Sequence, residues 1–338
     1  LIEIDGSVGE GGGQMLRTAL SLSAVLGEDV RIFNIRAGRQ NPGLAPQHVT
    51  CIDAVREISD GTADGAHKGS KEVVFRPGKL LGGEFEFDVG TAGSVSLVLQ
   101  CCLLPAAMSK GPVSMVVRGG TDVRWSPPVD YFTLVYAPMV RRFGVRCEVD
   151  VVSRGFYPEG GGELRLELPP AGGLAGAVAA PQGSLLGTAG IAYSQNLPGH
   201  ITDRMKHVAL KTLIDLRNVK IESDTRSGRS TGTGIVLAAT FSNTTLGASA
   251  LGEKGVRAET LGETCARDLL ETVRSGATVD EHMLDQILPY MALAKGPSSV
   301  LAEEVTGHAE TNMWVIERFL GPRFRRKQVG GLVEISTG

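Results

Sequence analysis

One pattern recurs three times along the chain: an amphipathic helix, a strand, a glycine-bearing corner, a second helix and a pair of strands. Such a repeat constrains the fold strongly, because each copy must bury one apolar face and its neighbours are the nearest partners. The first copy predicts a helix over Gln14–Leu26, a strand over Val30–Ile35, a helix over Pro46–Ser59, and strands over Glu72–Arg76 and Glu84–Val89. The second predicts a helix over Ala92–Met108, a strand over Val113–Arg118, a helix over Pro128–Phe143, and strands over Val145–Val152 and Glu163–Leu168. The third is more weakly patterned, with helices over Glu281–Lys295 and Thr311–Leu320, a strand over Ser298–Val305, and a closing pair ending at Leu332–Ile335. The corners after each first strand read Arg36-Ala-Gly-Arg39, Arg118-Gly-Gly-Thr-Asp122 and Thr306-Gly-His308-Ala-Glu310. If equivalent corners occupy equivalent places, residues from opposite ends of the chain line one site.

The pattern breaks after Pro169-Pro170-Ala171-Gly172-Gly173 and resumes near Thr278. Between these points lie strands over Leu185–Tyr193, Val219–Glu222, Ile235–Phe241 and Ala248–Leu251, and helices over Ile201–Leu216 and Thr260–Ser275. This reads as a small α/β insert, residues 179–275, within a large α/β (α+β) domain of residues 1–178 and 276–338. The Ser/Thr/Gly-rich stretch Thr225–Gly234 predicts an exposed, mobile loop. Arg226 and Arg229 in it read as solvated rather than as phosphate ligands.

A net charge of −3 excludes a generally basic nucleic-acid binder but leaves room for a local basic groove. The five cysteines have no C-x-x-C spacing and sit mostly in apolar runs, so buried reduced thiols are expected rather than a disulfide framework or a zinc site. No secretory leader and no apolar run of spanning length is visible, which makes a cytoplasmic protein the expectation.

The chemistry concentrates in a few places. Gly9-Glu10-Gly11-Gly12-Gly13-Gln14-x-x-Arg17 follows a strand and opens a helix. Glycines let the backbone approach a ligand closely, and the free N–H groups of a helix start attract an anion. Gln14 and Arg17 share the first turn of one face. Glu10 is odd at a bare phosphate site. It makes sense if a divalent cation bridges the carboxylate and a phosphate, or else it is a surface residue of a tight turn. A second glycine run, Pro158-Glu159-Gly160-Gly161-Gly162, lies between two strands and reads as a hairpin turn. Arg36 and Arg39 flank a glycine and are either a bidentate phosphate clamp or a surface pair. Gln100 interrupts an apolar helix and needs either a core partner or a ligand. His282, Asp285 and Gln286 share one helix face and read locally as polar surface residues, since no third metal ligand is visible. A lone His308 would ordinarily be structural, but its place in the repeat is equivalent to the arginine corner and to the Thr121-Asp122 corner. A neutral imidazole there could attack phosphorus, and nearby cations favour that neutral form.

Taken in order, Gly9–Arg17, Arg36–Arg39 with Pro42-Gly43-Leu44 and Gln47-His48, Gly119–Asp122, Gly155–Gly162, Asp285-Gln286 and His308-x-x-Thr311-Asn312 resemble the motifs of RNA 3′-terminal phosphate cyclases. The resemblance covers essentially the whole chain outside the insert. It implies three repeated four-stranded-sheet/two-helix units and a smaller inserted domain. It also implies ATP and a divalent cation, Mg²⁺ or Mn²⁺, as cofactors, RNA with a 3′-phosphate end as the partner substrate, and no obligate protein partner. Residue by residue, His308 matches the nucleophile that carries AMP, and Glu10 the carboxylate near metal and triphosphate. Arg17, Arg36 and Arg39 match phosphate-binding arginines, and Gln14 and Gln100 line the nucleotide pocket. Asp285 and Gln286 match residues near the adenosine, and His282 stands where a bacterial pattern has Tyr. Two rivals are a non-catalytic relative, which lacks the nucleophile, and an enolpyruvyl transferase of similar repeat architecture. His308 with Glu10 and Arg17 speaks against the first, and the ordered motifs against the second.

Overall fold

The computed structural model describes residues 1–338. Its first unit runs β1 (Ile2–Asp5), α1 (Gly13–Leu26), β2 (Val30–Phe33), α2 (Pro46–Ile58), β3 (Thr62–Asp64) and β4 (Val73–Arg76), in the sheet order β1-β2-β4-β3. β1 and β2 are parallel, so α1 must cross over between them, while β3, β4 and β2 pair antiparallel. The second unit repeats this connectivity. It runs β5 (Gly83–Asp88), α3 (Val95–Ala107), β6 (Val113–Gly119), α4 (Val129–Tyr131), a π-helical turn (Phe132–Tyr136), α5 (Ala137–Arg141), β7 (Glu148–Ser153) and β8 (Gly162–Leu168), in the order β5-β6-β8-β7.

The insert runs β9 (Leu185–Gln195), α6 (His200–Thr212), β10 (Val219–Arg226), β11 (Gly232–Phe241), β12 (Thr245–Leu251) and α7 (Ala258–Ser275), in the order β10-β9-β11-β12. The third unit then completes the chain with α8 (Glu281–Leu293), β13 (Ser298–Ala302), α9 (Gly307–Leu320), β14 (Arg325–Val329) and β15 (Leu332–Thr337).

Two differences from the sequence reading concern the phase of the repeat. Each unit begins with a strand, so the stretch read as Glu84–Val89 opens the second sheet as β5 rather than closing the first, where the short exposed β3 stands instead. Strand residues alone do not say which neighbour they pair with. The third sheet has three strands, β13-β15-β14, and its first-strand position is held by isolated parallel bridges, Ala175↔Lys295 and Val178↔Ser299. The insert therefore enters between the first strand and first helix of the third repeat.

α3 explains how the units meet. Every residue of it except Gln100 is buried, as suits a helix apolar all round. It packs on α1 and α2, while α1 also packs on α9, so one apolar cluster runs through all three units. A second cluster, from Ala192 to Leu270, lies within the insert. All five cysteines are buried and free, as expected. No helix is long and apolar enough to cross a membrane.

The insert is tied to the second unit by a buried ionic knot. Arg154 donates to Asp130 Oδ2 at 2.7 Å and to Asp224 Oδ2 at 3.0 Å, and lies 4.0 Å from the centre of the Tyr193 ring. Asp122 and Thr121 are buried in the same place, and Thr121 N–H donates to the Gly155 carbonyl. The Thr225–Gly234 stretch is an exposed loop only at its centre, Ser227–Arg229 and Thr231. β10 and β11 extend into it, Ser230 is buried against Phe156 N and Gly160 O, and Arg226 is held by Asp224 and the Val151 carbonyl. Ser230 of the insert thus accepts from the Phe156 N–H and donates to the Gly160 carbonyl, so a single side chain satisfies backbone groups at the second glycine run and just before it.

Candidate functional site

The site starts from two close approaches. A side chain at Gly9 would put its Cβ 2.2 Å from Thr311 Oγ1, and one at Gly307 would meet Glu10 Oε1 at 2.4 Å. The glycine loop before α1 and the first turn of α9 therefore lie in direct contact, and a side chain at either position would displace the groups that make it. Thr311 locks them. Its Oγ1 donates to the Gly307 carbonyl at 2.8 Å and accepts the Glu10 N–H at 3.3 Å. Thr306 caps α9 by accepting from Ala309 N–H at 3.1 Å. His308 thus sits within the helix rather than in a corner before it, since α9 begins at Gly307 and not at Thr311. Its Nε2 lies 3.0 Å from Glu10 Oε2, with both side chains about half exposed.

The arginine corner joins the same loop. Arg36 has a left-handed backbone (φ 55°) and donates to the Gly43 carbonyl at 2.9 Å. Burial, then Arg39, lowers its pKa. A guanidinium nitrogen of Arg39 lies 3.6 Å from the ideal Cβ position of Gly12, the residue that caps α1 without a side-chain bond. The first turn of α1 holds no acidic residue. This is an open helix N-terminus with cations around it, an arrangement that stabilises an anion.

A polar cleft continues from the other side of α1. Gln14, Arg17, Gln100, Asp285, Gln286 and Asn312 line it, with Tyr136, Tyr290 and Leu104 on its apolar wall. Gln14 Nε2 donates to Asp285 Oδ2, and Gln100 Nε2 donates to Gln286 Oε1 at 2.6 Å. Asn312 Nδ2 donates to the Asp285 carbonyl. Two acceptors in the cleft, Gln14 Oε1 and Asn312 Oδ1, are buried without partners. Asp285 keeps a partly exposed edge on the cleft, but its carboxyl is packed among protein atoms. That burial pushes its pKa up to about 7 against the opposing pull of Arg17 and His282.

The structure brings Glu10 and His308 together, sets Arg39 by the same glycine loop with Arg36 on the same corner, and gathers Gln14, Arg17, Gln100, Asp285 and Gln286 on the adjoining cleft. His282, one turn before Gln286 on α8, is half exposed. It lines an acidic cleft with Asp268, Glu281, Glu303 and Glu304, and its carbonyl accepts from Gln286 Nε2. The second corner stays away. Thr121 and Asp122 are spent on Gly155 and Arg154, so two of the three corners converge and the second unit contributes Gln100 from α3 instead.

Two residues, Asn312 and His48, were not singled out by sequence reasoning beyond their place in the motifs. Asn312 falls one turn after His308 on α9, a spacing that an inward-facing helix stripe could have flagged. His48 is 4% exposed, and its Nδ1 accepts from Ala45 N–H at 3.0 Å. Burial, then Arg17 and Arg36, pushes its pKa down to about 3. No helical periodicity signals such a histidine.

The model of the family described as RNA 3′-terminal phosphate cyclase matches residues 8–326. A protein of Methanopyrus kandleri named RNA 3′-terminal phosphate cyclase is 47% identical over 328 residues, covering 95% of this chain and 93% of the relative. Like-named proteins of Nitrosospira multiformis and Archaeoglobus fulgidus are each 45% identical, covering 98% and 95% of this chain and 95% and 96% of the relatives. With the family model spanning nearly its whole length, this chain belongs to the RNA 3′-terminal phosphate cyclase family.

Proposed function

We propose that the chain uses ATP to convert an RNA 3′-terminal phosphate into a 2′,3′-cyclic phosphate, through a covalent histidine–AMP and an RNA–adenylate. The observation that carries this reading is His308 Nε2 at 3.0 Å from Glu10, beside an uncapped helix N-terminus flanked by arginines. His308 attacks the α-phosphorus of ATP and pyrophosphate leaves. An oxygen of the RNA 3′-phosphate then takes the AMP from His308. Finally the 2′-OH loses its proton, attacks the activated 3′-phosphorus and expels AMP. A phosphate monoester has a poor leaving group, and adenylation supplies a good one. The 2′-OH already lies beside the phosphorus, so ring closure gains from proximity.

Each residue has a role on this reading. Glu10 accepts a hydrogen bond from the His308 ring and orients it. Arg17, Arg36 and Arg39 stabilise charge on the phosphates. The unpartnered Gln14 Oε1 and Asn312 Oδ1 accept from nucleoside N–H or O–H groups in the cleft, with Asp285 fixing Gln14 and Gln286 fixing Gln100. No group of three or more His, Cys, Asp or Glu side chains is arranged to hold a metal. A Mg²⁺ or Mn²⁺ ion would therefore be held by Glu10 together with phosphate oxygens and water, and would neutralise phosphate charge there. The second apolar cluster supports treating residues 179–275 as a separate small domain beside a catalytic domain of 1–178 and 276–338. A cytoplasmic setting, where RNA ends and ATP meet, completes the reading.

The test uses RNA ending in a 3′-phosphate. With ATP and a divalent cation it should become resistant to phosphatase, whereas RNA ending in 3′-OH should be unchanged. Equal conversion of both ends would remove the cyclase reading.

A further inference from the structure

His48 is a buried polar side chain beside the site to which the proposed chemistry gives no task. It belongs to α2, where it is the third helical residue and takes the Ala45 N–H on Nδ1 at 3.0 Å. In a neutral imidazole the remaining proton is then on Nε2. That nitrogen has no hydrogen-bond partner in the chain. It points at the first residue of α1: a Cβ built on Gly13 would lie 2.1 Å from it. Position 13 must be glycine for the ring to stand there.

His48 is only 4% exposed, yet its Nε2 is not fully enclosed and keeps a small opening toward the site. Water can satisfy it in the free protein, but its surroundings favour an anion. The first N–H groups of α1 are open, and no acidic residue stands in that turn. We propose that His48 is a neutral hydrogen-bond donor, through Nε2–H, to an anionic phosphate oxygen seated at the N-terminus of α1 beside Arg17 and Arg36. This rests on reading the site as one that handles phosphates.

Neutrality is part of the design. Burial and the two arginines keep the ring from taking a second proton. A second proton would also remove the acceptor for Ala45 N–H. A neutral donor adds a directed bond without a further positive charge among arginines, and it stays a donor across the whole working pH range. Two sources offer the same oxygen chemistry: the polyphosphate of ATP and the 3′-phosphate of RNA.

Paired substitutions separate the two ring nitrogens. His48→Asn keeps an acceptor near Nδ1 and removes the Nε2–H, while His48→Gln keeps a donor near Nε2. Binding to the full chain is measured by titration calorimetry with inorganic tripolyphosphate, and separately with short RNA ending in 3′-phosphate or 3′-OH. His48→Asn should weaken one of the phosphate ligands about tenfold or more, the scale of a charge-assisted hydrogen bond. His48→Gln should stay within about threefold of the parent. Loss on tripolyphosphate assigns the donor to ATP, and loss confined to RNA 3′-phosphate assigns it to the RNA end. Gly13→Ala, which displaces the ring without altering it, should weaken the same ligand and covers the case where His48→Asn melts early. The proposal is overturned if His48→Asn and Gly13→Ala bind both ligands as the parent does, or if Asn and Gln variants of equal melting temperature lose affinity equally. Binding needs no turnover, so a parent chain that binds phosphate but forms no cyclic end would sink the cyclase reading alone.

Discussion

His308 Nε2 stands 3.0 Å from Glu10 Oε2, joining the second residue of α9 to the glycine loop that precedes α1. The contact depends on Gly307, whose missing side chain leaves room for the Glu10 carboxylate. It also depends on Thr311, which bonds both the loop and its own helix. The first and third units are therefore registered at the place where the proposed chemistry occurs.

Gly307→Ala tests that register. The added methyl would lie 2.4 Å from Glu10 Oε1, so the flexible carboxylate must swing away from His308. Alanine is a better helix former than glycine by about 1 kcal/mol, so stability should hold while adenylation falls at least tenfold. A variant that is both stable and fully active would separate the glycine from the site.

Gly9→Ala should act on the fold instead. Its backbone is left-handed (φ 60°) and its Cβ would strike Thr311 Oγ1 at 2.2 Å. Strain and lost contact together should cost about 1–3 kcal/mol in urea unfolding. Unchanged stability would mean that the loop and α9 are not in contact.

Asp285 and His48 give stability opposite pH slopes. Burial raises the Asp285 pKa from 3.8 to about 7, so its contribution is full below pH 3.8 and lost as pH rises through 7. His48 falls from 6.5 to about 3, so its contribution is full above pH 6.5 and lost as pH drops toward 3. Between these limits the two oppose each other. Relative to the parent, Asp285→Asn should lose stability as pH falls from 6.5 to 4, by at most about 1.4 kcal/mol per unit. His48→Gln should gain over the same window. Unfolding free energies that run parallel to the parent in both variants would contradict the burial assigned to these groups.

Much of this was legible in the sequence, for identifiable reasons. Periodicity locates helices well, because an apolar stripe is a local property. It placed α1, α2, α3 and α7 to within a few residues. Strand pairing is not local, so β5 was given to the wrong sheet and the short polar β3 was missed. The repeat sets the arginine corner and His308 toward one place, and Arg39 and His308 both reach the glycine loop, at Gly12 and Glu10. It failed for Thr121 and Asp122, because partners elsewhere in the second unit hold them, Gly155 for Thr121 and the buried Arg154 for Asp122. His282 reads locally as a polar surface residue, and its half-exposed ring agrees with that reading.

Arg154→Met should be among the most damaging changes away from the cleft. It would leave Asp122 and Asp130 buried without their cation and release Asp224 on the insert. Removing one partner of a buried ionic cluster costs about 3–5 kcal/mol. Thermal unfolding should show that loss, and restoration by Arg154→Met with Asp130→Asn should be partial. A loss below about 1 kcal/mol would mean that the knot does not hold the insert to the second unit.

The central claim is that His308, facing Glu10 at the glycine loop, carries AMP. Incubation with α-labelled ATP and a divalent cation tests it most directly. The expected result is a protein-bound label that acid removes and base does not, as for a phosphoramidate, and that is absent from His308→Ala. Labelling of His308→Ala at the parent level would contradict the account.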